Sequence, residues 1–346
     1  MAKTAQTSLL ARLTRAFLWL LLLGLLAAAA AGWLAWKWLD APLSLRSPQV
    51  ELSIEPGTNP SAVAQAWVNA GVQTRPRWLL EWFRWSGQSR QMRAGSYEIE
   101  TGATPRSLLA KMVQGDEAME MVRFIEGWTL RQMRQALADA PRLKPATAEM
   151  DEAELMAALG SPGMPAEGRF FPDTYRYSRG VSDLTVLRRA HQAMQQRLEQ
   201  AWAMRAPDTP LKSADEALIL ASIVEKETGL AAERATVAGV FVNRLRIGML
   251  LQTDPTVIYG IGPSFDGNLR RRDLQTDTPF NTYTRPGLPP TPIALPGAAS
   301  LLAAVQPAST PALYFVAKGD GSGRSVFSTN LADHNRAVNL HQRGGR

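Results

Sequence analysis

Two glutamates, Glu225 and Glu227, close an apolar run in the stretch "ASIVEKET" at residues 221–228. A glutamic acid side chain can donate or accept a proton in catalysis when its surroundings adjust its pKa to the task. On an α-helix each residue turns by about 100°, so these two side chains face nearly opposite ways. They therefore do not form a catalytic pair.

Helical periodicity separates the two carboxyl groups. Ser213 and Glu216 form an S-x-x-E capping box ahead of the apolar run, which predicts a helix. Glu227 falls in the middle of the arc of side chains that this helix is expected to bury: Ala217, Ile219, Leu220, Ile223 and Val224. Burial raises the pKa of a carboxyl group, as a general acid near neutral pH requires.

A second interpretation of Glu227 needs no catalysis. In the last turn of the helix, its side chain can leave the core and pair with Arg234 or Arg244. Glu225 falls outside the arc and is expected to be a surface carboxylate or the partner of a nearby cation. Periodicity alone leaves both interpretations of Glu227 open.

Composition excludes several classes of site. The 346 residues contain no cysteine, which rules out a thiol nucleophile, a cysteine metal site and disulfides. The three histidines are scattered, and the sequence has no HExxH, P-loop or GxSxG motif, so neither a metal nor another cofactor is expected. The net charge of +7 favours an acidic partner such as anionic lipid, nucleic acid or an anionic wall polymer.

A long apolar segment lies near the N-terminus. Residues 16–36, "AFLWLLLLGLLAAAAAGWLAW", match the ~20 residues that a helix needs to cross a bilayer core. The preceding segment is basic and has no acidic residue, so the positive-inside rule predicts a cytoplasmic tail at 1–15, an anchor at 16–39 and everything after it outside. The alternative is a signal peptide cleaved at the alanines. A single span argues against a transporter or channel.

The exported part is predicted to be α+β. After a short linker at 40–49, residues 50–120 twice show a strand, a turn and a helix, with the second helix capped by Thr104. Such packing resembles a small LysM-like α/β module that binds glycan, and a plain structural subdomain is the alternative. Residues 121–340 are predicted to form a mixed α+β domain with a long helix at about 183–204, two helices centred on 214–228 and 231–246, and a C-terminal hairpin.

Long motifs carry a family resemblance. "LASIVEKETGLAAERATVAGVFVNRLRIGMLLQTDPTVIYGIG", "NTYTRPGLPPTPIALPG" and "LYFVAKGDGSGRSVFSTNLADHN", with "EGRFFPDTY" and "FIEGWTL" upstream, closely resemble the YceG-like, or MltG, family of endolytic murein transglycosylases. The resemblance spans nearly the whole chain, including the single anchor, and is densest from about 167 to 336. Thr291 departs from the family's P-P-G-P-I turn.

The resemblance implies a lyase anchored in the bacterial inner membrane with its catalytic domain in the periplasm. Such enzymes cut the β-1,4 bond between N-acetylmuramic acid and N-acetylglucosamine without water and leave a 1,6-anhydromuramic end. The second glutamate of the family's E-K-E-T motif is catalytic, which maps to Glu227, the residue that the helical arc also selects. The implied partners are nascent glycan strands of peptidoglycan and the penicillin-binding synthases whose products this family terminates.

Other motif residues are candidates for a sugar groove, where amides, hydroxyls and aromatic faces bind hydroxyl groups and rings. Each also has a structural interpretation: the aspartate before Pro255 can initiate a turn, the asparagine can cap one, and Asp173 can cap a helix. The candidates are Gln252, Asp254, Asn281, Tyr283, Glu167 and Asp173.

Two competing functions follow from the same sequence. A membrane-anchored peptidoglycan-binding scaffold without activity would keep the glycan contacts and lose the chemistry, although the intact E-K-E-T motif at 225–228 argues against it. A nucleic-acid binder is suggested only by the net charge. The predicted location outside the cytoplasm and the dispersed basic residues argue against nucleic acid.

Overall fold

A computed structural model of the protein describes the backbone of residues 2–343 and the side chains of residues 18–342. The side chains of the predicted cytoplasmic tail, residues 1–15, lie outside that range. The first helix, α1, spans Ala2–Asp40. Its segment Leu18–Asp40 is apolar enough to cross a membrane, with a mean hydropathy of 2.1 and none of that stretch buried in the protein. This helix fits a membrane anchor.

The chain divides into two compact units. The first comprises residues 1–119 and 178–180, and the second comprises residues 120–177 and 181–346. Helices and strands occur in both units, which confirms a mixed α and β architecture. The biochemical role predicted for each unit stays a prediction at this point.

The first unit continues after α1 in the order strand, helix, helix, strand, helix. Its two strands pair antiparallel, with Val50 opposite Ile99. Asn59 and Thr104 cap the helices that follow them, each accepting a hydrogen bond from a backbone N–H of the first turn, and the Thr104 cap confirms the prediction. The elements are β1 (Gln49–Ile54), α2 (Pro60–Ala70), α3 (Pro76–Trp85), β2 (Gly95–Glu100) and α4 (Pro105–Gln114).

The predicted linker at 40–49 is packed against this unit. The N–H of Leu43 donates to the carbonyl of Ala103 at 2.7 Å, and Leu45 forms a β-bridge with Val72. Leu43 is buried in the same apolar core as Trp67. The chain that leaves the apolar helix is therefore fixed to the first unit rather than free.

The second unit is mostly helical, with two two-stranded sheets, one formed by its first two strands and one by its last two. The helices at Asp183–Ala203 and Ala214–Glu227 lie where the sequence predicts them, and the predicted helix at 231–246 begins with a 3-10 turn at Ala231–Glu233. The elements are β3 (Met119–Arg123), α5 (Leu130–Ala138), α6 (Glu152–Ala158), β4 (Thr174–Ser178), α7 (Asp183–Ala203), α8 (Ala214–Glu227), α9 (Arg234–Arg246), α10 (Asp254–Ile261), α11 (Arg271–Gln275), α12 (Ala298–Val305), β5 (Tyr314–Ala317), β6 (Ser325–Ser328) and α13 (Leu331–Val338).

Helix α8 is the central element of the second unit. Every residue from Ala217 to Val224 is buried, so this helix is surrounded by protein on all sides rather than along one face. It packs in one apolar cluster with residues of α7, α9 and α12. β5 and β6 form the predicted hairpin, with Phe315 opposite Phe327 and packed edge-on to Phe241 of α9. The last turn of α8 emerges from this core.

Close packing of α9 can be tested at Gly239. A methyl group there would lie 2.6 Å from the carbonyl oxygen of Ala308 and 2.8 Å from Cγ2 of Thr310. Overpacking of this kind costs about 1–3 kcal/mol, which exceeds the ~1 kcal/mol that alanine gains over glycine in a helix. Gly239→Ala should therefore lower the melting temperature measured by circular dichroism.

Gly229→Ala is the matched control, because the nearest atom to a methyl group at that position is 3.9 Å away. It should leave the melting temperature within error of the parent protein. Equal melting temperatures for Gly239→Ala and the parent would contradict the close packing of α9.

Candidate active site

The last turn of α8 positions the candidate acid. Ser213 caps the helix by accepting a hydrogen bond from the N–H of Glu216 at 3.2 Å. The carboxylate of Glu216 does not complete the predicted reciprocal bond to the Ser213 N–H and accepts from the N–H of Lys212 instead, at 2.6 Å. At the other end, Thr228 donates its hydroxyl to the carbonyl of Val224 at 2.7 Å, which ends the helix directly after Glu227.

Glu227 is half-buried, and its carboxyl group has a defined set of neighbours. The hydroxyl of Thr253 donates to Oε1 of Glu227 in a short hydrogen bond. Burial raises the pKa of Glu227, and the negative charge of Asp254 raises it further, whereas the Thr253 hydrogen bond and the positive charge of Arg244 lower it. Burial is the largest of these effects, so the site favours the protonated acid.

Arg244, on α9, supplies a positive charge that acts on this carboxyl group. Its Nε donates to the carbonyl of Leu313 at 2.7 Å and its Nη1 to the carbonyl of Leu251 at 2.7 Å. In the described residues, no direct ion pair joins Arg244 to Glu227. The alternative in which Glu227 simply pairs with Arg244 or Arg234 is therefore wrong, and Arg244 acts on Glu227 only through its field.

Three buried threonines join two motifs that are distant in the sequence. The N–H of Thr253 donates to the hydroxyl of Thr282 at 3.1 Å, and the hydroxyls of Thr256 and Thr282 lie 2.9 Å apart. The Thr256 hydroxyl also bonds the carbonyl of Thr253 at 2.7 Å. Together these bonds fix the hydroxyl that contacts Glu227. Thr253 lies inside the "LQTDPTV" motif, but periodicity gives no signal that singles it out.

Gln252 and Asp254 flank the buried Thr253 and are both exposed. Gln252 adopts a left-handed backbone conformation, with φ of 49°, which is uncommon for a residue other than glycine. Its N–H donates to the carbonyl of Thr282 at 3.1 Å, and that bond holds the turn. The two side chains on either side of Thr253 are thus available to a ligand, as the sugar-groove prediction requires.

Tyr283, from the second motif, contacts Asp254, and Asn281 holds the turn that carries Tyr283. The phenol of Tyr283 donates to Oδ1 of Asp254 at 2.5 Å, and burial together with this carboxylate raises the pKa of Tyr283. Asn281 is fully buried: its Oδ1 accepts from the N–H of Tyr283 at 2.8 Å and its amide donates to the carbonyl of Thr276 at 2.7 Å. This geometry gives Asn281 the structural role of holding the turn that carries Tyr283.

Glu167 and Asp173 lie elsewhere in the second unit, and in the described part of the chain neither bonds to Glu227. The buried carboxyl group of Glu167 accepts from the N–H of Leu130, at the start of α5, at 3.0 Å, and from the phenol of Tyr259 at 3.2 Å. Burial raises its pKa to about 7. Asp173 is exposed, and its Oδ1 accepts from the N–H of Thr174 at 2.7 Å, so it caps no helix.

Glu225 is a structural residue. Its Oε2 accepts from the N–H of Gly297 at 2.9 Å, and its Oε1 lies 3.8 Å from Nη2 of Arg234. The side chain is only 8% exposed, so the expectation of a surface carboxylate is wrong and that of a partner for a nearby cation is confirmed. In the part of the chain that the structure describes, no group of three or more histidine, aspartate and glutamate side chains is arranged to hold a metal ion.

The chain is similar to proteins of one family along most of its length. The family model that matches residues 52–340 is described as YceG-like. The endolytic murein transglycosylase of Bacillus subtilis (strain 168) is 30% identical over 305 residues, which cover 83% of this chain and 83% of that protein. The endolytic murein transglycosylase of Streptococcus pneumoniae serotype 2 is 25% identical and is matched over 94% of this chain and 65% of its own length.

A solved structure is similar in fold. The crystal structure of a YceG-like protein from Listeria monocytogenes superposes with a TM-score of 0.53 at 28% sequence identity, over 85% of this chain and 99% of that one. The motifs that predicted the family resemblance all lie within these matched regions.

The buried Glu167 carboxyl group should make the stability of the second unit depend on pH. Its pKa of about 7 in the folded protein exceeds the ordinary glutamic acid value of 4.5, so the folded state holds the proton more tightly than the unfolded chain. The free energy of unfolding therefore falls as pH rises from about 4.5 to 7, by on the order of 3 kcal/mol from this one group. Glu167→Gln, which carries no charge, should remove that decline.

The comparison is the melting temperature of Glu167→Gln and the parent protein between pH 5 and pH 8. The two should be similar at pH 5, and the variant should be the more stable at pH 8. Glu149→Gln, at an exposed glutamate, is the control and should follow the parent at both values. Parallel curves for Glu167→Gln and the parent would show that Glu167 is ionised throughout this range.

Proposed function

This chain belongs to the YceG-like family, and on that premise we propose that it is an endolytic murein transglycosylase with Glu227 as its single acid and base. The substrate is the β-1,4 bond between N-acetylmuramic acid and N-acetylglucosamine in peptidoglycan strands. The observation that carries the residue assignment is the Glu227 carboxyl group, whose pKa is raised by burial at the end of α8. A raised pKa favours the protonated form that a general acid needs.

The reaction needs one carboxyl group at two successive steps. Glu227 first donates its proton to the glycosidic oxygen as the N-acetylglucosamine side departs, and the substrate's own N-acetyl group supports the oxocarbenium-like carbon. The resulting Glu227 carboxylate then takes the proton of the muramic O6 hydroxyl, whose oxygen attacks C1 and closes the anhydro ring. The proton count balances, Glu227 is regenerated, and no water is consumed.

The hydroxyl of Thr253 fixes the orientation of this carboxyl group. Because it donates to Oε1, it leaves Oε2 to carry the acidic proton and face the glycosidic bond. Its hydrogen bond and the field of Arg244 favour the carboxylate, which is the form that the second step requires, while burial and Asp254 favour the acid. This balance suits a group that must both release and recover a proton.

A hydrolase would need a carboxylate that activates water. The carboxylate whose charge acts on Glu227, Asp254, accepts a hydrogen bond from the phenol of Tyr283 at 2.5 Å, so one of its oxygens is already engaged. We assign Asp254 to the electrostatics of Glu227. Exposed Gln252 and the Asp254–Tyr283 pair are assigned to sugar hydroxyl groups and rings, whereas Asn281 and Glu167 support the fold of the site.

The remaining assignments concern location and partners. We propose that α1 is a single-pass anchor in the inner membrane, with residues 1–15 in the cytoplasm and the chain after residue 40 in the periplasm. The strand, helix, helix, strand order of residues 49–100 supports a LysM-like role for the first unit in holding glycan. The second unit would cut nascent strands beside penicillin-binding synthases and so terminate their elongation.

The assignment of Glu227 is tested with the full-length protein and uncrosslinked nascent glycan strands, with products analysed by mass spectrometry. The parent protein should release ends lighter by one water than hydrolysed ends. Glu227→Gln should lower the rate by roughly 10²–10⁴-fold, the usual contribution of a general acid. Glu225→Gln keeps an acceptor for the N–H of Gly297 and is the matched control, expected within a few-fold of the parent.

Three other outcomes would contradict the proposal. Ordinary reducing ends would show a hydrolase. An equal loss in both glutamine variants would show that the helix end, rather than Glu227, matters. Glycan binding without cleavage by the parent protein would show an inactive scaffold.

The neighbours of Glu227 should move the pH profile of this activity in opposite directions. Since the acid must be protonated, kcat/KM falls on the alkaline side as Glu227 ionises. Thr253→Val removes a bond that lowers the pKa of Glu227, so the alkaline limb should move to higher pH. Asp254→Asn removes a charge that raises this pKa, so the limb should move to lower pH.

Thr253→Ser retains the hydroxyl group and should keep the limb where it is in the parent protein. The measurement is kcat/KM against pH for the four proteins. If the alkaline limbs of Thr253→Val and Asp254→Asn moved in the same direction, the assignment of Glu227 as the titrating acid would be contradicted.

A further inference from the structure

Six of the protein's ten tryptophans lie in two short segments of the first unit, at the end of α1 and in α3. Several are strongly exposed: Trp36 is 64% exposed, Trp78 is 50% exposed and Trp85 is 84% exposed. Large exposed apolar side chains that cluster in this way mark an interaction surface. The six tryptophans are Trp33, Trp36, Trp38, Trp78, Trp82 and Trp85.

Helix α3 has two different apolar faces. Leu79 and Phe83 point into the core of the first unit and are fully buried. Trp78, Trp82 and Trp85, at spacings of four and three residues, form a separate stripe because such positions share one side of a helix. The core already occupies the first face, so the tryptophan stripe serves another contact.

The stripe is continuous with the apolar helix. It forms one wall of a groove of about 480 Å³ whose other wall is the last turns of α1, including Leu34, Ala35 and Trp38. Trp38 packs edge-on against Trp78 with ring centroids 5.7 Å apart. The groove is therefore lined by the same residues that would leave the bilayer at the outer end of the anchor.

Positive charges border this groove. Arg77 and Arg84, seven residues apart on α3, are exposed beside the stripe. The guanidinium of Arg75 lies 5.8 Å from the ring centre of Trp78, and that of Arg106 lies 5.1 Å from the ring centre of Trp36. The carboxylate that lines the groove, Glu81, is 3.8 Å from Arg84. Tryptophan next to arginine is typical of the boundary between lipid headgroups and acyl chains.

We propose that α3 lies at the membrane–water interface where the C-terminal end of the α1 anchor leaves the bilayer. The groove between α1 and α3 there binds the acyl chains of anionic phospholipid. The exposed arginines then bind the phosphate groups. This inference rests on the proposed membrane anchoring of α1. Lipid is the occupant that matches an apolar floor, an arginine rim and continuity with a membrane-spanning helix. The first unit is thus fixed to the membrane surface by two elements, the anchor and α3.

The absence of cysteine in the sequence allows a clean test, because a single introduced cysteine is the only labelling site. The full chain is placed in nanodiscs of mixed phosphatidylglycerol and phosphatidylcholine with a shallow nitroxide lipid. A fluorescent label is attached in turn to Trp85→Cys on the stripe, Leu26→Cys in the anchor and Gln65→Cys on the exposed side of α2. Quenching of each label by the nitroxide lipid is measured.

The label at 85 should be quenched several-fold more than the label at 65. A second set of nanodiscs carries the nitroxide deep in the acyl region, where it should quench the label at 26. Strong quenching at 26 there, with equally weak quenching at 85 and 65 by the shallow nitroxide, would overturn the proposal while leaving the anchor intact. Weak quenching at 26 as well would instead show that the anchor assignment fails. A label at 85 that is shielded from water but not quenched by lipid would indicate a second protein chain in the groove, which would also overturn the proposal.

The headgroup contact is tested separately. Arg77→Gln combined with Arg84→Gln should reduce quenching at 85 at least two-fold in nanodiscs with phosphatidylglycerol and should have little effect in pure phosphatidylcholine. Arg93→Gln combined with Arg90→Gln, elsewhere in the same unit, is the charge-matched control. Equal effects of the two pairs would overturn the assignment of the α3 arginines to anionic headgroups.

Discussion

The proposed site depends on one constraint: the Glu227 carboxyl group has a raised pKa while it remains partly accessible at the end of a buried helix. Burial supplies the raised pKa of Glu227, and it does so because α8 is enclosed by protein along its whole apolar length. The helix ends directly at Glu227, where Thr228 closes the last turn. The carboxyl group of Glu227 therefore lies at the point where the chain leaves the core.

A single acid of this kind needs its neighbours to be fixed, and the threonine cluster provides that. Thr253 contacts Glu227, but its position is determined by Thr282 and Thr256, so the "LQTDPTV" and "NTYT" motifs act as one element. Loop residues that contact a reacting group are well positioned only when their own hydrogen bonds are complete. The buried side chain of Asn281 completes them by holding the second motif in its turn.

Local features of the sequence predicted the helices and selected Glu227 as the candidate acid, whose catalytic role stays a prediction, while distant contacts decided the roles of other residues. The capping residue Ser213 and the apolar run predict α8 from the segment itself, but the helix is buried on all sides rather than along the single arc that 3.6-residue periodicity indicates. The role of Glu167 depends on Leu130 and Tyr259, which lie 37 and 92 residues away. Likewise, Glu225 lies outside the apolar arc, yet Gly297 and Arg234 cover it. Periodicity carries no information about such partners.

Helix α3 shows the same limit from the other side. An amphipathic pattern indicates that a face avoids water, but it does not say whether protein or lipid covers that face. Helix α3 has apolar residues of both kinds: Leu79 and Phe83 are buried by the protein core, while Trp78 and Trp85 are exposed in the protein alone. Exposed tryptophans cost little at a membrane surface and much in water, because an indole ring is favoured at the headgroup boundary. The proposed membrane contact accounts for this pattern, because it counts the bilayer as part of the solvent of the first unit.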